Sequence, residues 1–264
     1  MLPSQVIDCH VHIIDPDRFA FSDGPGYRPL PHERGSREQL AKILDANGVS
    51  CGLLVQPSGY GRDNAALLDA IAASRGTLRG IAVVDPDASP EELSALKSRG
   101  VVGLRLNLID QDDRMLSDPR LKNLLTETRA MDWWVELHAA GPLLIAALDL
   151  FREAGVNTIV EHWGRPDISA SVDQPAFRAL LRCGREGRTV VKLSAPYRVS
   201  ALSASFSDLD AFADALLEAF SPERCIWGSD WPFINTPRRP DYPALKMALS
   251  RWLTHTIFRL ALSS

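Results

Sequence analysis

Asp8-Cys9-His10-Val11-His12 ends an apolar run that begins at Val6. Such a run reads as a strand, about residues 6–13, and a strand turns successive side chains to opposite faces. His10 and His12 then share one face, about 6–7 Å apart along the chain, while Cys9 and Val11 share the other, where Cys9 serves packing. Two imidazoles on one face can converge on one ion or one substrate oxygen. Alone, the pair is no more than two histidines on a half-exposed strand. Its weight comes from His138, His162 and Asp230, each of which stands at the end of a later apolar run.

Outward from this stretch the chain repeats one unit of strand, loop and amphipathic helix. Strands are expected near residues 52–56, 80–84, 101–108, 133–137, 158–161, 189–193 and 225–228. Helices are expected near 37–46, 63–74, 90–99, 119–131, 142–154, 175–185 and 208–220, with a helical pattern again over 240–262. A long loop rich in Pro, Gly and aromatics fills 14–35. Ser36 and Gln39 have capping-box spacing, and Ser89, Pro90 and Glu92 fit cap, first and third helical positions. Glu91, Glu92, Lys97 and Arg99 read as a solvated helix face.

Eight strands alternating with eight helices imply parallel pairing and right-handed crossovers. In about 250 residues this is the rhythm of a (β/α)8 TIM barrel, an α/β fold in one domain over residues 1–264. The competing architecture is an open doubly wound sheet, but no Gly-x-Gly-x-x-Gly follows the first strand and no P-loop occurs. The pattern departs from its own rhythm only after about residue 253, where the ending reads as shortened or altered. Exposed apolar surface there would favour self-association into a homo-oligomer.

Bulk composition narrows the partners. At 264 residues, 45% hydrophobic and 23% charged, the chain has an ordinary globular balance, and its net charge of −4 gives no general reason to expect nucleic acid or an anionic membrane as partner. The 4 cysteines form no CxxC pair and read as thiols in a reducing compartment. No signal peptide precedes the first strand and no apolar run is long enough to span a bilayer, so a cytoplasmic location is expected.

A barrel carries its active site where the strands end. The polar residues fall there: His10 and His12 on the first strand, Arg105 and Asn107 on the fourth, His138 after the fifth, His162 and then Arg165 after the sixth. Lys192, Ser194, Tyr197 and Arg198 follow the seventh strand, and Asp230 the eighth. His32 and His255 lie off this pattern and read as surface or packing residues.

His-x-His on the first strand, histidines after the fifth and sixth, and an aspartate after the eighth resemble the amidohydrolase superfamily. Asp8-Cys9-His10-Val11-His12, Gly103-Leu104-Arg105-Leu106-Asn107, Glu161-His162-Trp163-Gly164-Arg165, Tyr197-Arg198-Val199-Ser200 and Trp227-Gly228-Ser229-Asp230-Trp231-Pro232 are similar to one branch of it. That branch contains 2-pyrone-4,6-dicarboxylate lactonase and sugar lactonases. The resemblance runs from about Val6 to Trp252. It implies a hydrolase opening a small carboxylated or sugar-derived lactone, with Asp230 as general base and His10, His12 and His162 as carbonyl or oxyanion partners. It also implies that Arg105, Arg165 and Arg198 grip anionic groups, with Asn107 and Tyr197 beside them. Those roles suit ester hydrolysis, which needs a base near water and donors aimed at the developing oxyanion.

Two departures from the pyrone dicarboxylate lactonase matter. That enzyme works without metal and has a tyrosine at the strand-five position, where this chain has His138. His10, His12, His138 and Asp230 then form a complete set for one divalent metal ion, zinc by donor type. The lactonase also has a second arginine six residues after the strand-four arginine, where this chain has Gln111, with Arg114 beyond.

Other readings stand beside these. A sister branch with the same histidines and aspartate contains metal-dependent decarboxylases of aromatic or muconate-type acids, and a barrel that only binds a small acid is the non-catalytic alternative. Arg105 could serve an ion pair with an Asp inside the barrel. Lys192 reads as the structural partner of a strand-end carboxylate, and Trp163, Trp227 and Trp231 as core or pocket wall.

Overall fold

Ser36 accepts the Gln39 N–H while the Gln39 side chain accepts the Ser36 N–H, and the helix they open, α1, runs Arg37–Ala46. In this computed structural model, which describes residues 6–23, 27–109, 111–202, 205–236 and 239–252, the alternation continues throughout. The strands are β1 (Ile7–Val11), β2 (Cys51–Val55), β3 (Leu78–Ala82), β4 (Val101–Asn107), β5 (Trp134–His138), β6 (Asn157–Val160), β7 (Thr189–Lys192) and β8 (Cys225–Ile226). The further helices are α2 (Ala65–Ala73), α3 (Pro90–Ser98), α4 (Pro119–Ala130), α5 (Gly141–Ala154), α6 (Pro175–Glu186), α7 (Asp210–Phe220) and α8 (Tyr242–Leu249).

The eight strands are all parallel and pair in chain order, β1 to β8. Closure comes from the Cys9 N–H donating to the Trp227 carbonyl at 2.9 Å and the His12 N–H to the Trp231 carbonyl at 2.8 Å. The expected TIM-type barrel is therefore observed. The helical expectation beyond residue 252, and His255, lie outside the described residues. His32 is exposed, as are Glu91, Glu92, Lys97 and Arg99.

Two apolar layers stabilise the barrel. One fills the space between strands and helices. The other, Cys9, Leu53, Ile81, Ile159, Val190 and Ile226, plugs the barrel interior, one residue from each of six strands. On two of these strands the same face carries a charged group two residues further along: Glu161 follows Ile159, and Lys192 follows Val190.

Cys9 corrects the expectation of strict alternation. It was expected on the face away from the histidines, yet it belongs to the interior plug directly beneath them. Asp8 pairs with Gly52 but Val11 pairs with Leu54, so β1 uses three steps where β2 uses two. This irregularity lets both Cys9 and His10 turn inward. Gly228 makes room for it, because a Cβ there would collide with the Cβ and backbone of His10.

Asp8 fixes the other side of the strand. Its Oδ1 accepts the N–H groups of His10 at 3.1 Å and Ser229 at 2.9 Å, and its Oδ2 accepts the Tyr242 hydroxyl of α8 at 2.7 Å.

Candidate active site

The C-terminal ends of the strands enclose a cavity of about 420 Å³. His12, Arg105, Asn107, His138, His162, Arg198 and Asp230 face it, and Tyr27, Ser58, Gln111 and Asn235 complete its polar wall.

The His12 ring donates through Nδ1 to the Val55 carbonyl at 2.7 Å, since a carbonyl can only accept. Its Nε2 then points at Asp230 Oδ1 across 3.1 Å, and His10 Nε2 lies 3.5 Å from the same oxygen. The other oxygen, Oδ2, accepts the Tyr197 hydroxyl at 2.7 Å and Arg198 Nε at 2.5 Å. Burial alone would raise the Asp230 carboxyl, but Arg198 and the nearby imidazoles outweigh it and hold the group well below the usual carboxylate range. Asp230 sits at φ 66°, a left-handed conformation that a non-glycine residue keeps only under constraint. Here the constraint is its N–H bond to the His10 carbonyl at 2.8 Å.

A second buried carboxylate, Glu161, stands just past β6. Arg105 grips it with Nε at 2.6 Å and Nη2 at 2.8 Å, a fork that holds both oxygens. His138 Nδ1 and His162 Nε2 each lie 3.5 Å from Glu161 Oε2. The His162 Nδ1 contacts Ser194 Oγ at 2.8 Å. His162 is also left-handed, at φ 48°. Burial pushes the imidazoles of His10 and His162 well below their ordinary value and that of His138 down to about 4, so all three are neutral near pH 7.

One layer deeper, Lys192 donates to Glu136 Oε1 at 2.6 Å, and both contact His10 Nδ1 at 3.2 Å. Neither side chain is exposed. Lys192 therefore has the structural partner the sequence suggested, although that partner stands in mid-strand. Burial raises the Glu136 carboxyl, and the charge and hydrogen bond of the Lys192 ammonium oppose that rise.

The structure brings His10, His12, His162 and Asp230 together, with the His138 ring centroid 5.1 Å from that of His162. The expected four-ligand metal set is not assembled as drawn. His10, His12 and Asp230 offer ligand atoms within 4.8 Å of one another, as do His10, Glu161 and His162, but His138 joins neither group among the described residues. It leans on Glu161 instead. The donor chemistry of the first group fits a cation. His10 and His12 have Nδ1 atoms beside Glu136 and the Val55 carbonyl, the outer-shell partners typical of metal-ligating histidines. His10 Nε2 is buried without a hydrogen-bond partner.

The arginines need correction. Arg105 and Arg198 were expected to grip substrate, yet they hold Glu161 and Asp230. Each reaches the cavity with the N–H groups left over. The ion pair foreseen for Arg105 exists, with a Glu rather than an Asp. Arg165 is not among the cavity-lining residues, although its charge acts on His138. Tyr197 acts through Asp230 and is not in the wall. Asn107 is in the wall and donates to Ser58 Oγ at 3.0 Å. Trp163, Trp227 and Trp231 are core residues. Sequence reasoning assigned no role to Glu136 and Glu161. The available signal was a charged residue embedded in an apolar strand run, sharing by alternation the face of His138 in the case of Glu136.

Among the described residues no helix is long and apolar enough to cross a membrane. Comparison with characterised proteins adds relatives to this geometry. The chain is 32% identical over 244 residues to a 2-pyrone-4,6-dicarboxylate hydrolase of Comamonas testosteroni, covering 89% of this chain and 79% of that protein. It is 28% identical over 246 residues to a 4-sulfomuconolactone hydrolase of Hydrogenophaga intermedia, covering 91% and 80%. Its fold superposes with a TM-score of 0.85 on the crystal structure of a probable 2-pyrone-4,6-dicarboxylic acid hydrolase from Acinetobacter baumannii with citric acid bound. That match has 28% identity and covers 95% of this chain and 93% of that one. The amidohydrolase family model matches residues 7–261, and the chain belongs to that family.

Proposed function

We propose that this protein hydrolyses a small lactone that is carboxylated or sugar-derived. The observation that carries the reading is Asp230, a carboxylate 1% exposed, held ionised by Arg198 and Tyr197 at the mouth of a cavity lined by His12 and by the neutral imidazoles of His138 and His162. The relatives named for hydrolysis of a pyrone dicarboxylate and a sulfomuconolactone support the same reaction class.

In this reading water attacks the lactone carbonyl carbon and Asp230 takes its proton. The ring C–O bond then breaks, and the departing oxygen receives that proton. A carboxylate kept so far below its usual range is a weak base, so polarisation of the carbonyl must lower the barrier with it. His162 and Arg198, which line the cavity with Asp230, are the polarising groups. A divalent ion, zinc by donor type, held by His10, His12 and Asp230 would supply Lewis acidity at the same place.

The test is a panel of lactones with one carboxylate, two carboxylates or several hydroxyls, with hydroxy-acid formation and carbon dioxide followed together. Ring opening without carbon dioxide is expected, and Asp230→Asn is expected to lower kcat at least about 100-fold. Carbon dioxide release would turn the assignment to a decarboxylase, and an unaffected Asp230→Asn would move the base elsewhere, His162 first.

A further inference from the structure

The catalytic cavity does not stop at β4. Behind the hydrogen bond from Asn107 Nδ2 to Ser58 Oγ lies a second chamber of about 220 Å³. Ser58, Arg105, Asn107 and Gln111 line both spaces, so the two meet along this one partition. Past it the character of the wall changes. Val83, Val84 and Pro86 after β3, Leu106 on β4, and Leu121 and Leu124 on α4 form it. Its charged members, Arg62 and Arg105, are ion-paired with Asp85 and Glu161. It contains no histidine and no carboxylate among the described residues.

The barrel geometry says which part of a ligand could enter. In an eight-strand closed sheet taken in order, β4 lies opposite β8. The reacting carbonyl must lie against Asp230, just past β8. Only a group on the far side of the ring can pass Asn107 and reach the chamber.

We infer that the substrate carries a straight hydrocarbon substituent on the ring carbon remote from the carbonyl, and that this chamber receives it. The inference rests on the lactone reading above and adds the tail to it. The polar cavity orients the ring, and the leucine and valine wall removes the tail from water. Removing a methylene from water is worth enough for about a fourfold gain in kcat/KM per carbon over the first few carbons.

The experiment uses γ-butyrolactones bearing one ring carboxylate and a straight γ-alkyl chain of increasing length. Turnover and thermal stabilisation of the full-length protein are both measured. Expected is a kcat/KM that climbs about fourfold per methylene and then levels off, with the climb abolished in Val84→Phe, which fills the chamber. Turnover that stays flat with chain length overturns the tail and leaves the lactone reading standing. No turnover, with stabilisation that still grows with chain length, overturns the lactone reading and keeps the chamber as a hydrocarbon site. Neither response overturns both.

Discussion

His12 Nε2 and Asp230 Oδ1 face each other across 3.1 Å, and with the His12 Nδ1 proton given to Val55 both are acceptors. Two acceptors at that distance need a proton or a cation between them. The orphaned Nε2 of His10, 3.5 Å from the same oxygen, favours the cation.

Elemental analysis is therefore expected to find about one divalent ion per chain, lost in both His12→Asn and Asp230→Asn. Restoring zinc to chelated protein at 100 times its dissociation constant should stabilise the fold by about 2.7 kcal/mol. Metal-free protein that keeps full turnover in chelator would show that a proton fills the contact.

His138 should make the fold acid-sensitive. Its folded pKa is about 4, depressed by burial from an ordinary value of 6.5. Between those values the unfolded chain binds a proton that the folded chain refuses. The stability is thus complete above about pH 6.5 and is lost as pH falls towards about 4. In chelated protein, Tm is expected to fall across this window, and His138→Gln should make the fall shallower. An unchanged slope would mean that His138 is protonated in the folded protein without penalty.

Lys192 and Glu136 should behave as one unit. Lys192→Met leaves a buried carboxylate without its partner and is expected to cost about 3–5 kcal/mol in urea unfolding. Lys192→Met combined with Glu136→Leu removes both charges, and most of that loss should return. Additive losses in the double variant would contradict an ion pair. Activity is expected to fall in both variants, because the pair contacts His10 Nδ1.

Gln111 should limit the charge of the substrate. It lines both chambers, while Arg114, the nearest cation downstream, is bound to Asp112 and is absent from either wall. A neutral amide cannot neutralise a second carboxylate, a difference of roughly 1 kcal/mol or more. Lactones with one carboxylate or several hydroxyls should have higher kcat/KM than 2-pyrone-4,6-dicarboxylate, and Gln111→Arg should narrow the gap about fivefold. A parent enzyme that prefers the dicarboxylate by tenfold or more would sink the argument.

The barrel was legible because each unit carries its own local signals. The Ser36–Gln39 box and the Ser89 cap are read from neighbours in sequence and appear unchanged in space. Strand edges were less so. β3 begins two residues before its expected start because Leu78 is buried where the polar Thr77 and Arg79 mask the pattern. β8 is only Cys225–Ile226 because the residues after it bond to β1 by single contacts rather than a continuous ladder. The slip in β1 has no local signature. Arg105 and Lys192 were seen as charged residues in a barrel, but each carboxylate they hold lies 56 residues away in sequence. Which acid an arginine meets is a property of the closed sheet.

Asp8 has a kinetic side. Its carboxylate holds His10 and Ser229 through one oxygen and is held through the other by Tyr242, which follows it by 234 residues. On a ribosome moving at about 10 residues per second, roughly 20 s separate the synthesis of these two partners. During that interval β1 has an open edge where Trp227 and Trp231 will later dock, and an open edge invites pairing with other chains. His10 and His12 are made long before they are fixed, so a translational pause before Tyr242 would prolong exposure of the segment on which the candidate site depends.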